Sequence, residues 1–278
     1  MHRTSTRTEE ARKIGVDAGV GAEDEVRRIA LVTGASSGLG AEFARQIAAR
    51  GYDLVLTARR EARLAALGAE LAARHGVAYE VLAADLSTDP GIAAVEARLQ
   101  RGDIHLLVNN AGFGIGKAFA GAELEGQNAM LSVHVVAPMR LTHAALPAML
   151  ARRSGGVINV ASLAAFVSLP DNANYSATKA YVMRFSRAVH AEVRRKGVTV
   201  QALCPGFTVT EFHGRQEHKQ SGRRIPGFLS APARAVVSDS LRAFDRREAL
   251  CVPGAINRAV YWVCKLGVAD ALVPLVLR

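Results

Sequence analysis

The sequence predicts an α/β fold: a doubly wound parallel sheet with helices on both faces. Two observations carry that prediction. Short apolar runs alternate with helical stretches about 25 residues apart, the rhythm of strands that return through a crossover helix. The first run, Ile29 to Val32, ends at Thr33-Gly34, and a helix opens near Gly38. The chain has 278 residues, half of them apolar, which one large domain fits whole.

Gly34, Gly38 and Gly40 follow a G-x-x-x-G-x-G spacing, with Ser36, Ser37 and Leu39 between them. One glycine makes a turn that a Cβ would block. Another lets the backbone approach a pyrophosphate, and the last lets the helix pack closely on the strand. The helix N-terminus offers N–H groups and partial positive charge to phosphates. The stretch therefore reads as a dinucleotide turn; taken alone, an ordinary strand-to-helix turn is the alternative.

Behind it, Ala41–Arg50 is helical, with Phe43, Ile47 and Ala48 inward and Gly51 as the stop. Asp53–Thr57 is a second strand, ending at Ala58-Arg59-Arg60. In a dinucleotide fold this end meets the adenosine ribose, where an acidic residue would repel a 2′-phosphate. Here Ala58 is neutral and Arg59 cationic, so NADP (NADPH) is expected over NAD, with Arg59 on the phosphate. The alternative makes Arg59 and Arg60 solvated charges that start the next helix. That helix is Glu61–Arg74, and Val77–Ala84 is the third strand, leading to Asp85-Leu86. Asp85 is placed either to meet the adenine or to cap the helix Pro90–Gln100. Ile104–Val108 is the fourth strand, closed by Asn109-Asn110-Ala111-Gly112. Asparagines there bond backbone, while Ala111 and Gly112 leave room for a flat ligand.

A long helix follows, from about Glu123 to Leu150, bent or broken at Pro138 and Pro147 and carrying His134. Gly156–Ala161 is the fifth strand, with Ser162 just past its end. In the helix Asn174–Lys196, Tyr175 and Lys179 stand at i, i+4 on one face. Val198–Leu203 is the sixth strand, followed by Pro205-Gly206.

Ser162, Tyr175 and Lys179 form the distinctive constellation. A free tyrosine has a pKa near ~10, and an adjacent ammonium stabilises its phenolate. Bringing it to about 7 takes about 4 kcal/mol at about 1.36 kcal/mol per unit, within reach of a nearby cation in a partly dry cleft beside a positive nicotinamide ring. A carbonyl that accepts hydride gathers negative charge on oxygen. Tyr175 is placed to protonate it and Ser162 to orient it.

With these residues the chain resembles the short-chain dehydrogenase/reductase family, from about Arg28 to about Phe212. The resemblance rests on Thr33-Gly34-x3-Gly38-x-Gly40, Asn109-Asn110-Ala111-Gly112, Ser162, Tyr175-x3-Lys179 and Pro205-Gly206. It implies a single Rossmann-type domain over 28–278, a nicotinamide cofactor, and hydride transfer to or from a small-molecule carbonyl or alcohol. It implies that Tyr175 is the acid/base, that Lys179 binds the nicotinamide ribose, and that Ser162 holds the substrate oxygen. Asn110 would approach the cofactor, Asp85 and Leu86 would flank the adenine, and Thr208 would sit near the carboxamide. In one respect the chain departs from the family. Members usually carry an asparagine in the long helix, holding a water that links the lysine to solvent; this chain has His134. Imidazole also binds water and relays protons. His134 either takes over that relay, giving a pH dependence near ~6–7, or is a structural substitute that slows turnover.

Residues 207–231 leave the family pattern as a loop and short helix followed by a basic stretch, expected as a lid over the site, with a surface loop as the alternative. Ala231–Asp245 is a helix and Leu250–Val252 a last strand. In the tail, 254–278, the charges of Arg258, Lys265 and Asp270 argue against a membrane span. An amphipathic helix at a subunit interface is the first expectation there and contact with a membrane surface the second. Residues 1–27 form a polar extension with no apolar leader core. The net charge is +10, but no basic run alternates with aromatics, which argues against nucleic acid. Cys204, Cys251 and Cys264 form no Cys-x-x-Cys, so no metal site is expected and a reducing, cytoplasmic setting is. The two long helices suit a homodimer or homotetramer. The expectation is an NADP(H)-dependent carbonyl reductase. The rivals are a cofactor-binding regulator with little turnover and a membrane-peripheral protein docked by its tail.

Overall fold

The structure, a computed structural model, describes residues 27–209 and 230–265. The extension before Arg27, most of the expected lid and the tail beyond Lys265 lie outside the described residues. The strands are β1 (Ile29–Thr33), β2 (Asp53–Ala58), β3 (Tyr79–Ala83), β4 (Ile104–Asn109), β5 (Gly156–Val160), β6 (Thr199–Leu203), β7 (Phe207–Val209), β8 (Ser230–Pro232) and β9 (Leu250–Cys251). The helices are α1 (Gly38–Ala48), α2 (Glu61–His75), α3 (Asp89–Leu99), α4 (Leu124–Leu131), α5 (Ala137–Ala151), α6 (Ala173–Val193), α7 (Ala233–Asp245) and α8 (Ala255–Lys265).

Seven strands make one parallel sheet in the order β3-β2-β1-β4-β5-β6-β9. Both faces are covered, which is why the strands read as unbroken apolar runs rather than alternating ones. Ala30, Val32, Leu54 and Leu56 pack on one face with Phe43 and Ile47 of α1, Leu64 and Leu71 of α2, and Val237 and Leu241 of α7. Leu31, Val55 and Leu107 pack on the other with Ile92 and Leu99 of α3, Leu141 and Met149 of α5, and Val193 of α6. The strand order reverses between β1 and β4. Their carboxyl ends open a crevice there, the place where such sheets take ligands.

Two expectations change. The long helix is interrupted by a π-helical turn, Ser132–Val136, between α4 and α5. Pro138 falls in the first turn of α5, directly behind the π turn, and Pro147 sits inside α5 without ending it. Residues 207–209, expected as loop leading to a short helix, form β7, which pairs with β8 across the segment between them. As far as Lys265 the tail is helical: α8 is amphipathic, with Asn257 buried and Tyr261 edge-on to Phe166 at 4.9 Å, while Ile256, Val260 and Val263 stay exposed. No described helix is long and apolar enough to cross a membrane.

Candidate active site

The glycine turn is built against the end of β4. Thr33 Oγ1 accepts the N–H of Asn110 at 3.0 Å and of Ala111 at 3.1 Å, and donates to the Val108 carbonyl at 3.3 Å. Asn110 Nδ2 donates to the Thr33 and Gly34 carbonyls at 3.0 and 3.4 Å. The Asn-Asn-Ala-Gly segment is thus stitched to the turn by Thr33. There is no room for a Cβ: one on Gly40 would lie 2.3 Å from the Gly34 oxygen, and one on Gly34, at φ +66°, 2.8 Å from Asn110 Nδ2. Ser37 precedes α1 without capping it through its side chain. A bare turn facing a helix N-terminus fits the pyrophosphate of a dinucleotide.

At the end of β2 the structure separates the two arginines. Arg59 is exposed, its Nη1 4.0 Å from Asp85 Oδ2. Arg60, read from sequence only as a possible solvated charge, folds back onto the glycine turn. It donates to Ser36 Oγ at 2.9 Å and to Ser37 Oγ at 2.9 Å. Doubled arginine at a strand end was the available signal; which one turns inward depends on the backbone of the α2 N-cap. Asp85 does not cap α3. Thr88 does, accepting the Gly91 N–H at 3.2 Å. Asp85 Oδ1 instead accepts the Ser87 N–H and hydroxyl at 3.0 and 2.8 Å. Burial opposes its charge, but these bonds and Arg59 outweigh that and hold its carboxyl below the usual range. Leu86 beside it is buried.

Tyr175 and Lys179 come together against the carboxyl end of β5, and Ser162 lies two residues past that end. Ser162 is the extended N-cap of a short 3-10 turn, Leu163–Phe166, and its Oγ accepts the Ala164 N–H at 3.1 Å, which leaves its own hydrogen to donate. Lys179 is buried; its Nζ donates to the Val160 carbonyl at 2.9 Å and lies 5.6 Å from the centre of the Tyr175 ring. Burial pulls its pKa from 10.5 to about 8, weakly opposed by Cys204. The Cys204 thiol is itself pushed up to about 12 by burial. A buried polar ladder sets α6 against the sheet. Asn109 Nδ2 donates to Asn159 Oδ1 at 2.8 Å, Asn159 Nδ2 to Ser186 Oγ at 2.9 Å, and Ser186 Oγ to the Val182 carbonyl at 2.7 Å. Asn109 therefore bonds side chains inside a strand rather than loop backbone. Past β6, the Pro205 carbonyl accepts the Leu163 N–H at 2.9 Å, and Thr208 Oγ1 donates to the Gly206 carbonyl at 3.3 Å. A Cβ on Gly206 would lie 2.4 Å from Asn257 Oδ1 of α8.

His134 is in the same cluster, where its hydrogen bonds bear on the two roles the sequence leaves open. Its Nε2 accepts the Phe113 N–H at 3.0 Å and its Nδ1 meets Thr178 Oγ1 at 3.1 Å. With both ring nitrogens bonded to protein, none is left to hold the relay water that the sequence suggested. Beside Tyr175 a shallow cleft is lined by Ile115, Phe119, Met130 and Asn172. Gln127 also lines it, and its buried Oε1 finds no hydrogen-bond partner among the described residues. Sequence reasoning missed Gln127, which carries no motif.

Comparison with known proteins gives the family of the chain. A family model described as short chain dehydrogenase matches residues 28–221. A very-long-chain 3-oxoacyl-CoA reductase of Laccaria bicolor is 37% identical over 187 residues, covering 66% of this chain but only 55% of that protein. A serine 3-dehydrogenase of Agrobacterium fabrum is 36% identical over 184 residues, 66% of this chain and 72% of that one. Among solved structures, a short-chain dehydrogenase from Sphingobium yanoikuyae in complex with NADPH superposes with a TM-score of 0.78 at 35% identity, covering 89% of this chain and 95% of its own.

Proposed function

The chain belongs to the short chain dehydrogenase family, and on that premise we propose that it is an NADPH-dependent reductase of small-molecule carbonyls. One observation carries the reading: a buried lysine, bonded to the Val160 carbonyl at the end of β5 two residues before Ser162, stands beside the Tyr175 ring. A buried ammonium with no carboxylate partner among the described residues is expensive, and such arrangements concentrate at functional sites. The glycine turn and α1 would hold the pyrophosphate. Arg59 and Arg60, with Ser36, would hold a 2′-phosphate, which favours NADP over NAD. Asp85 and Leu86 would flank the adenine, Asn110 and Ala111 the nicotinamide end, and Gly206 and Thr208 the carboxamide. The NADPH complex of the Sphingobium relative supports the choice of cofactor.

When bound, NADPH supplies a hydride to the carbonyl carbon. The chain handles the oxygen. Ser162 donates a hydrogen bond to it and fixes its direction. Tyr175 transfers its phenolic proton as charge develops there, and the Lys179 ammonium stabilises the phenolate left behind. The alcohol leaves and Tyr175 regains its proton from solvent.

The test is NADPH oxidation against a panel of aldehydes, ketones and 3-oxoacyl esters, with Tyr175→Phe as the control. Turnover that vanishes in the control supports the reading. Tight NADPH binding with no turnover across the panel would leave a cofactor-binding regulator instead.

A further inference from the structure

We infer that His134 is a positioning residue: a permanently neutral imidazole, fixed as its Nδ1–H tautomer, that pins the loop after β4 to the helix carrying Tyr175 and Lys179. The inference depends on the proposed reductase only for its effect on turnover.

The bond directions leave one solution. The Phe113 N–H can only donate, so Nε2 must be bare. A neutral imidazole then carries its hydrogen on Nδ1, which donates to Thr178 Oγ1. The Thr178 hydroxyl passes its own hydrogen to the Tyr175 carbonyl at 2.8 Å. Each donor in this chain meets an acceptor. The opposite tautomer would set two hydrogens against each other at Phe113, and so would the protonated ring.

The surroundings enforce the neutral form. His134 is 1% exposed. The charged group acting on it is Lys179, and Tyr175 is the other titratable neighbour on α6. Burial first, then the Lys179 ammonium, hold its pKa well below the usual histidine value. Among the described residues no carboxylate acts on it to favour a cation.

The backbone is shaped to place this ring. The π turn is closed by the Ala137 N–H reaching the Ser132 carbonyl, one residue further than an α-helix allows. Gly112 clears the ring's path, since a Cβ there would lie 2.9 Å from His134 Nε2. The ring then packs edge-on to Tyr175 at 5.7 Å and to Phe113 at 5.8 Å between ring centres. His134 thus spaces the Asn-Asn-Ala-Gly loop from Tyr175 and shuttles no proton.

The test reads the ring directly. In protein labelled with 15N at histidine, His134 should show the Nδ1–H neutral signature down to about pH 5, well below the ordinary histidine midpoint. A midpoint near ~6–7 would overturn the inference. This measurement needs no turnover, so it separates failure here from failure of the proposed activity. With an active substrate, His134→Asn and Thr178→Val should each lower kcat by about 10- to 100-fold, since small misplacements of reacting groups are costly. KM and NADPH affinity should stay within about threefold, and the pH profile should keep its shape. The double variant should be little worse than either single one, because both cut the same chain. Unchanged kcat in both variants, or an acid limb that disappears in His134→Asn, would refute the role. If His134→Asn does not fold, the 15N signature and Thr178→Val still decide.

Discussion

Lys179→Met should make the free protein more stable while abolishing turnover. The lysine is 5% exposed, and burial lowers its pKa from 10.5 to about 8. At about 1.36 kcal/mol per unit, the charge costs the folded state about 3 kcal/mol near neutral pH. Methionine keeps the length and removes the charge. Against that gain, the Val160 carbonyl loses its donor, worth about 1–2 kcal/mol. The net expectation is a gain of about 1–2 kcal/mol, or about 2–8 °C in Tm. The sign with pH follows from the depressed value. Between about 8 and 10.5 the unfolded lysine holds a proton that the folded one has released. Lys179 therefore contributes stability that rises with pH through that window, and the variant lacks this contribution. Cys204 and Cys251, pushed up to about 12 by burial, act in the opposite sense in both proteins. The readout is therefore the difference between the two proteins. Urea unfolding without NADPH should show the variant ahead near neutral pH, with its lead shrinking by about pH 10. A variant less stable than the parent near neutral pH, or a lead that ignores pH, would refute the reasoning.

The other expectations concern chemistry and cofactor. Tyr175→Phe should cost kcat about 10²- to 10⁴-fold, the usual worth of a positioned acid, with NADPH affinity unchanged by fluorescence titration. Arg60→Ala removes the side chain bonded to Ser36 and Ser37. It should weaken NADPH about 10- to 100-fold and NADH little, while equal losses for both would assign Arg60 to the turn's structure alone. Gly40→Ala drives a Cβ to 2.3 Å from the Gly34 oxygen. Overpacking of that kind should cost about 1–3 kcal/mol in urea unfolding and remove measurable NADPH binding; normal binding would show that the cradle is not the dinucleotide site.

What the sequence made legible was local. The β1–turn–α1 unit announces itself within a dozen residues because strand, glycines and helix are adjacent. Tyr175 and Lys179 share a face by helical spacing alone. What stayed hidden depended on partners far along the chain. Asn109 looks like a strand terminator, yet its register mate is Asn159, and two side chains that satisfy each other can sit inside a sheet. β7 finds β8 across the segment from 210 to 229, which no local pattern reports. Arg59 and Arg60 are neighbours of identical chemistry, and only the turn into α2 sends one outward and the other back to Ser36. His134 was placed correctly in the chain, but its role rests on hydrogen-bond directions set by Phe113 and Thr178.

These remote contacts converge on α6. Ser186 ties it to β4 and β5 through the asparagine ladder, Lys179 ties it to the end of β5, and Thr178 ties it through His134 to the loop after β4. Each neutral bond is worth only about 1 kcal/mol net, so none explains why the domain folds; the apolar faces of the sheet do that. Hydrogen bonds differ from apolar contacts in having direction. A helix packed by apolar contacts alone can slide or rotate slightly at little cost. One held by bonds at separate points along its length cannot, and a proton transfer from Tyr175 needs its oxygen placed within a few tenths of an ångström. In the proposed reaction the polar groups buried along α6 would therefore serve to hold the phenol in one place. Asn109 Oδ1, without a partner among the described residues, is where this ladder is least satisfied.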